Sequence, residues 1–196
     1  MLRTPFRRTL SAMRKPTLFL MVGYPGAGKT TVSRSIRELT GAVHLWADHE
    51  RNSRFVHPTH NHEENLKLYA QLNQEAEALL LAGKSVIYDT NFNFYKDRKK
   101  LKVIAAKAGA RTAVIWVTTP IELARERATV HAHGQDTRVW GNMPPERFER
   151  ISHNLQEPTE AEQPIKLDGT SLTREAVEQA LRERGLLPEN GLLPEA

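Results

Sequence analysis

Gly23-Tyr-Pro-Gly-Ala-Gly-Lys-Thr30 is the stretch that decides the fold of this 196-residue chain. It matches the phosphate-binding loop pattern G-x-x-x-x-G-K-[ST] at every fixed position. Its glycines let backbone N–H groups turn inward around a phosphate, and a helix N-terminus behind the loop adds a positive dipole. Leu18–Val22 has the pattern of a buried strand and Thr31–Leu39 that of a helix, so the loop has the expected context. The stretch predicts a site for a nucleoside triphosphate with Mg²⁺.

The loop also predicts individual roles. Lys29 can reach the β- and γ-phosphates, and the Thr30 hydroxyl can ligate Mg²⁺. A glycine-rich turn without a ligand is the alternative, and the strand and helix in register disfavour it. No late Asn-Lys-x-Asp motif for guanine is present, which favours ATP over GTP. The predicted nucleotide-binding residues are Gly23, Pro25, Gly26, Ala27, Gly28, Lys29, Thr30 and Thr31.

Strand and helix patterns alternate along the rest of the sequence. This predicts a three-layer α/β P-loop NTPase fold, with a mainly parallel five-stranded sheet and helices on both faces. The predicted phosphate-loop domain is 17–185, with a polar lid at about 129–143, a basic disordered arm at 1–16 and a tail at 186–196. The predicted strands are 18–22, 42–46, 85–88, 112–117 and 165–167, and the predicted helices are 31–39, 63–82, 95–108, 121–128, 144–155 and 172–184.

Composition limits the classes of function. The formal net charge is +5, but residues 1–15 carry five basic and no acidic side chains, so the remainder is balanced at 23 of each sign. The high pI is therefore weak evidence for a nucleic-acid partner. The absence of cysteine excludes disulfides and thiolate chemistry and favours a cytoplasmic location. No apolar run approaches a membrane span, and no obligate protein partner is indicated.

Polar residues follow the predicted strands at the edge where α/β sheets bind ligands. Asp48 could accept a proton from an acceptor hydroxyl, and Arg51 could hold an anionic part of that acceptor. The alternative is that Asp48 caps a helix and Arg51 is merely exposed. Asp89 is expected to serve as the second Mg²⁺-side carboxylate, directly or through water, the alternative being an aspartate of a turn at the strand end. Arg98 could point into the crevice or lie on a basic helix face.

The predicted lid contributes the remaining catalytic candidates. An arginine there could stabilise charge on the transferred phosphoryl group, with Arg127 preferred, then Arg138 and then Arg125. Histidines cluster at 57–62 and 131–133. No acidic or thiolate pattern completes a metal site around them, so surface or substrate-pocket roles are favoured.

The chain resembles the AAA-type P-loop kinases of the polynucleotide kinase and zeta toxin group, from about Leu18 to Leu167. The likeness lies in the loop with its Pro-Gly, in Asp48-His-Glu-Arg51, and in Asp89-Thr-Asn-Phe-Asn93 with Arg98 beyond. It implies that Asp48 activates the acceptor hydroxyl and that Arg51 holds a substrate phosphate. It also implies an ATP·Mg²⁺-dependent kinase acting on a 5′-hydroxyl polynucleotide end. A small-molecule kinase, of the antibiotic or nucleotide-sugar type, and a nucleotide-dependent switch remain open.

Overall fold

The central sheet is formed by five parallel strands. In this computed structural model, which describes residues 15–130 and 142–187, the strands lie in the order β2-β3-β1-β4-β5. All four neighbouring pairs are parallel. The predicted α/β fold with a mainly parallel five-stranded sheet is thus confirmed. The strands are β1 (Thr17–Val22), β2 (Val43–Trp46), β3 (Val86–Asp89), β4 (Arg111–Thr118) and β5 (Ile165–Asp168).

Helices cover both faces of the sheet. Phe19 and Met21 of β1 pack into one buried cluster with α1 and α7, whereas Leu18 and Leu20 pack into a second cluster with α3 and α4. This alternation is what a central strand buried on both faces requires. The helices of the described ranges are α1 (Lys29–Thr40), α2 (Ala47–Arg54), α3 (His62–Leu81), α4 (Tyr95–Lys107), α5 (Ile121–Thr129), α6 (Pro145–His153) and α7 (Arg174–Glu183).

The predicted elements agree with the observed ones to within two residues at nearly every boundary, but α2 was missed. Its sequence, ADHERNSR, has no apolar stripe, and only Ala47 and Arg51 of it are buried. Periodicity of apolar residues cannot find a helix whose inward face carries an arginine. Glu160–Glu162 forms a short 3-10 turn that was also not predicted.

Several predicted boundaries fall on residues outside the described ranges. Most of the basic arm at 1–16, most of the lid at about 129–143 and most of the tail at 186–196 are in this class. Leu187 lies in the buried cluster of α1 and α7, so packed chain extends at least two residues beyond the expected domain end. Within the described ranges, no helix combines the length and apolarity that crossing a bilayer requires.

Candidate active site

A crevice of about 1810 Å³ opens at the carboxyl ends of the parallel strands. The phosphate loop follows β1, the first turn of α2 follows β2, and the polar segment 89–94 follows β3, so chain topology brings all three to one edge. The end of α5 and the face of α6 complete the walls. This is the edge at which open α/β sheets bind ligands.

The phosphate loop forms one end of this crevice. Gly28 takes a left-handed conformation with φ of 104° and α1 begins at Lys29, so the helix N-terminus faces the crevice. The Lys29 ammonium donates to the carbonyl oxygens of Gly23 and Tyr24 at 2.9 and 2.8 Å. These bonds hold the cation over the loop. Of the predicted nucleotide-binding residues, those lining the crevice are Pro25, Gly26, Gly28, Lys29, Thr30 and Thr31.

The other two predicted loop residues, Gly23 and Ala27, are buried and do not line the crevice. The Thr119 hydroxyl donates to the Ala27 carbonyl at 2.9 Å. Gly169 packs so closely that a Cβ there would lie 2.6 Å from that carbonyl oxygen and would collide with Thr119 Oγ1. The phosphate loop therefore packs against the residues that directly follow β4 and β5.

Asp48 lies in the first turn of α2 and opens into the crevice. Trp46, not Asp48, occupies the N-cap position, so the capping alternative does not hold. Burial among protein atoms raises the pKa of the Asp48 carboxyl, and the charge of Asp89 raises it further. The positive charges of Arg51, Arg147 and Lys29 oppose this rise. A carboxylate with a raised pKa in a crevice is suited to accept a proton.

Asp89 ends β3, directly beside Trp46 of β2 in the sheet register. Its side chain is buried, and Asp89 Oδ2 is 3.0 Å from His44 Nε2. His44 was not anticipated from the sequence, because its pairing depends on the neighbouring strand. Thr30 and Asp89 offer hydroxyl and carboxylate oxygens to one crevice, which is the donor chemistry that Mg²⁺ prefers. These two residues therefore fit the predicted metal.

Arg51 is almost fully buried and pairs with Glu64 at the start of α3. A second nitrogen of its guanidinium donates to Asn65 Oδ1 at 2.7 Å. Burial disfavours the charge on Glu64, but hydrogen bonds from the Thr59 amide and hydroxyl, and then from Arg51, lower the pKa of Glu64 to about 2. The sequence predicted that Arg51 lies beside the acceptor. Arg51 does line the crevice, but its charge is balanced by Glu64.

Arg98 fits neither of its two predicted positions. It is 2% exposed, and it donates to both carboxylate oxygens of Glu162 at 2.6 and 2.9 Å. It also donates to the carbonyls of Phe92 and Gln156 at 2.9 and 3.0 Å. Arg98 thus joins the start of α4 to the chain that follows α6, and its role is structural.

The three arginines predicted as lid candidates differ in location. Arg127 lines the crevice and donates to the Gly169 carbonyl at 2.8 Å. Arg125 is half exposed and pairs with Glu149 on α6, away from the crevice lining. Arg138 lies outside the described residues. Arg147 on α6 also lines the crevice, and the sequence gave no local signal for it.

The histidine-rich segments do not form a metal centre in the described part of the chain, where no group of three or more His, Cys, Asp or Glu side chains could hold an ion. His60 lines the crevice, with its Nδ1 atom 3.2 Å from Arg147 Nη2. His131 and His133 lie outside the described residues. Of the two expected locations, surface or substrate pocket, His60 therefore occupies the pocket.

Several solved structures of other proteins have a similar fold. Kti12 from Chaetomium thermophilum in complex with ADP-AlF3 is 18% identical, with a TM-score of 0.70 over 86% of this chain and 97% of that one. A sugar kinase from Janibacter sp. is 18% identical, with a TM-score of 0.64 over 88% and 95%. A chain of the Pnkp1/Rnl/Hen1 RNA repair complex is 19% identical, with a TM-score of 0.61 over 76% of this chain and 45% of that one.

At these identities the solved structures establish a shared P-loop kinase-like fold and nothing finer. No curated protein sequence matches the chain. The AAA domain model AAA_33, in contrast, matches residues 18–158, which is well over half of the sequence and includes the phosphate loop, Asp48 and Asp89. The resemblance to P-loop kinases indicated by the sequence is thereby confirmed at the level of fold and family, and the chain belongs to the AAA_33 family of AAA domains.

Proposed function

We propose that this protein is an ATP·Mg²⁺-dependent kinase that transfers the γ-phosphate to a hydroxyl group. The observation that carries the proposal is Asp48, a carboxylate of raised pKa that shares one crevice with the phosphate loop. A nucleotide-dependent switch needs a phosphate loop but no acceptor base. The placement of Asp48 therefore favours transfer to an acceptor over simple hydrolysis.

The chemistry assigned to these residues is a single displacement. Asp48 accepts the proton of the acceptor hydroxyl as the hydroxyl oxygen bonds to the γ-phosphorus. The bond from that phosphorus to the β–γ bridging oxygen breaks, and ADP leaves. Lys29 and the backbone amides at the start of α1 offset the negative charge on the phosphates.

Thr30 and Asp89 are the residues that would hold Mg²⁺, directly or through water. The ion would supply charge neutralisation at the β- and γ-phosphate oxygens. His44, at 3.0 Å from Asp89, holds that carboxylate in place. Among the arginines of the described ranges, Arg127 is best placed to stabilise the transferred phosphoryl group, because it lines the crevice close to the phosphate loop. Arg138 remains a second proposal.

For the acceptor we favour a 5′-hydroxyl polynucleotide end. Helix α4 carries five lysines, none of which forms an ion pair with any residue of the described ranges. Lys100 also lines the crevice, as does the exposed ring of Phe94, over which the Lys96 ammonium lies at 5.3 Å. Unpaired lysines with an aromatic ring at a crevice mouth are suited to a phosphate backbone and a stacked base. An RNA repair protein among the structural neighbours is consistent with this choice.

A small-molecule acceptor is the second candidate, and it too has an observation in its favour. Asn65, Tyr69 and Asn73 lie one turn apart along α3 and line the crevice. Tyr69 and Asn73 are hydrogen-bonded to Thr90 and Tyr88 at 2.9 and 3.0 Å. Such a wall of fixed hydroxyl and amide groups could bind the hydroxyls of a sugar. A sugar kinase shares the fold.

Asp48→Asn tests the proposed base. We expect kcat to fall by about 10²- to 10⁴-fold, because general-base catalysis is lost, while the Kd for ATP changes by less than about twofold. In the wild type, kcat/KM for the acceptor should fall on the acid side at a pH above the usual aspartate range, since the pKa of Asp48 is raised. That acid limb should disappear in Asp48→Asn. Unchanged turnover would exclude Asp48 as the base.

The acceptor itself is tested by transfer of labelled γ-phosphate from ATP to a panel. The panel contains 5′-hydroxyl DNA and RNA oligonucleotides, nucleosides, sugars and nucleotide sugars, with a control lacking any acceptor. Label on oligonucleotide ends supports the favoured acceptor, and label on a small alcohol supports the second candidate. Label released only as inorganic phosphate would contradict the kinase proposal and favour a switch.

A further inference from the structure

Two arginines, Arg51 and Arg147, approach Asp48 from different elements, and both lower its pKa through their charge. Their surroundings differ. Arg51 is buried and ion-paired with Glu64, whose pKa of about 2 keeps it ionised at neutral pH, so the pair carries no net charge. Glu64 and Asn65 accept hydrogen bonds from the two terminal nitrogens of Arg51, and its Nε–H is buried without a partner in the described residues. An oxyanion at Arg51 would therefore meet a guanidinium whose charge is already balanced.

Arg147 has no such partner. It projects from α6, lines the crevice and is half buried. Its hydrogen bond within the described residues joins Nη2 to His60 Nδ1 at 3.2 Å, and no carboxylate of those residues pairs with it. A guanidinium has five N–H donors in a planar fork, so one bond to an imidazole leaves a fork available for an oxyanion.

The backbone of His60, whose ring contacts Arg147, adopts an unusual conformation. Its φ is 56°, a left-handed value that few residues other than glycine adopt. Its amide donates to Glu64 Oε1 at 3.2 Å, and its carbonyl accepts from Asn65 Nδ2 at 3.1 Å. Such strain persists only where the surroundings impose it, and it clusters at functional sites.

The protonation state of His60 agrees with this arrangement. Burial first, and then the charges of Arg147 and Arg51, lower the pKa of His60 to about 4. The imidazole is therefore neutral at pH 7, and Nδ1 can accept the hydrogen bond that Arg147 donates. A neutral acceptor orients the guanidinium without cancelling its charge.

We infer that Arg147, oriented by His60, binds an oxyanion of the acceptor, such as a phosphate group close to the reacting hydroxyl. This inference rests on the proposed function, because it names the acceptor class of the same crevice. It also moves the anion-binding role expected for Arg51 to a different helix. Arg51 then serves to hold α2 against α3 and so to position Asp48. Phosphate could come from a nucleic-acid end or from a sugar phosphate, which share this chemistry.

The test compares binding of phosphorylated and unphosphorylated probes to the 196-residue chain saturated with ADP·Mg²⁺, which blocks the nucleotide end. Equilibrium dialysis would use thymidine 3′-monophosphate against thymidine, and ribose 5-phosphate against ribose. We expect at least one phosphorylated probe to bind tenfold or more tightly than its partner. Arg147→Ala should abolish this preference without changing the Kd of the unphosphorylated probe by more than twofold, and Arg147→Lys should keep part of it. Arg37→Ala, which removes the same charge from an exposed position on α1, is the matched control.

The probe pair that shows the preference identifies the source of the phosphate. Equal binding of both members of each pair by the wild type would overturn the inference, as would a preference that survives in folded Arg147→Ala. Loss of the preference in Arg51→Ala but not in Arg147→Ala would return the role to Arg51. Binding with ADP involves no phosphoryl transfer, so a protein that keeps the preference but transfers no phosphate would contradict only the proposed function.

Discussion

The two ends of the crevice are built in different ways. The nucleotide end consists mainly of main chain, in which glycines lie close to neighbouring carbonyl oxygens and a helix N-terminus supplies the charge. The acceptor end consists of side chains, in which the buried Arg51–Glu64 pair is held by hydrogen bonds from Thr59 to Glu64 and from Arg51 to Asn65. The nucleotide end therefore has little room for added atoms, and the acceptor end depends on keeping its buried charges paired.

This difference has an energetic consequence. Removing one partner of a buried ion pair leaves the other charge in a poor environment, which costs about 3–5 kcal/mol. Adding a methyl group to a close main-chain contact forces local shifts that cost about 1–3 kcal/mol. Damage to the acceptor end should therefore appear mainly as lost stability, and damage to the nucleotide end mainly as lost ATP affinity.

The largest expected effect is that of Arg51→Ala. It should lower the free energy of unfolding by about 3–5 kcal/mol, because Glu64 is left buried without its partner. For a domain of this size that corresponds to a fall in Tm on the order of 10 °C. Urea unfolding followed by circular dichroism measures the change.

Arg54→Ala, in the same helix, is the matched control. Arg54 pairs with Glu50 and Glu75 but is 29% exposed, so its loss should cost about 1 kcal/mol or less. Equal losses of stability in the two variants would contradict the contrast between a buried and an exposed pair.

The next effect concerns pH and Glu64. Burial opposes its ionisation, but hydrogen bonds lower its pKa from 4.5 to about 2 in the folded protein. A lowered pKa adds stability that is fully present above pH 4.5 and is lost as the pH falls towards 2, by roughly 3 kcal/mol in all. The difference in unfolding free energy between wild type and Glu64→Gln should shrink by that order across this range. A difference that stays constant from pH 6 to pH 3 would mean that Glu64 is not so stabilised.

The smallest expected effect tests the nucleotide end. Gly169→Ala would press a Cβ against the Ala27 carbonyl and Thr119 and so displace the phosphate loop. We expect ATP to bind about tenfold more weakly, which is about 1.4 kcal/mol, by isothermal titration calorimetry. In Gly41→Ala the added Cβ meets nothing within 4 Å, so ATP affinity should not change, although the φ of +68° makes this substitution lower stability. Full ATP affinity in Gly169→Ala would show that the loop does not depend on this contact.

The same contrast explains what could be predicted from the sequence. The phosphate loop, the five strands and the positions of Asp48 and Asp89 follow from local patterns, since each residue lies at a fixed distance from a strand end. The partners of Arg51, Arg98 and Arg147 do not, because they lie 13, 64 and 87 residues away in the chain. Nothing local distinguishes a buried arginine from an exposed one, which is why α2 was missed and Arg98 was misplaced.

The role of Gly169 could not be recognised either. Asp168-Gly169 is a turn signal, but the importance of this glycine lies in a contact with Ala27, far earlier in the chain. That contact has a consequence for biosynthesis. The phosphate loop leaves the ribosome about 140 residues before Gly169, yet the residues that support it come from the ends of β4 and β5. At elongation rates of about 5–20 residues per second, the loop would wait roughly 7–30 seconds for this support. A nascent chain should therefore acquire nucleotide binding only after Thr119 and Gly169 have emerged.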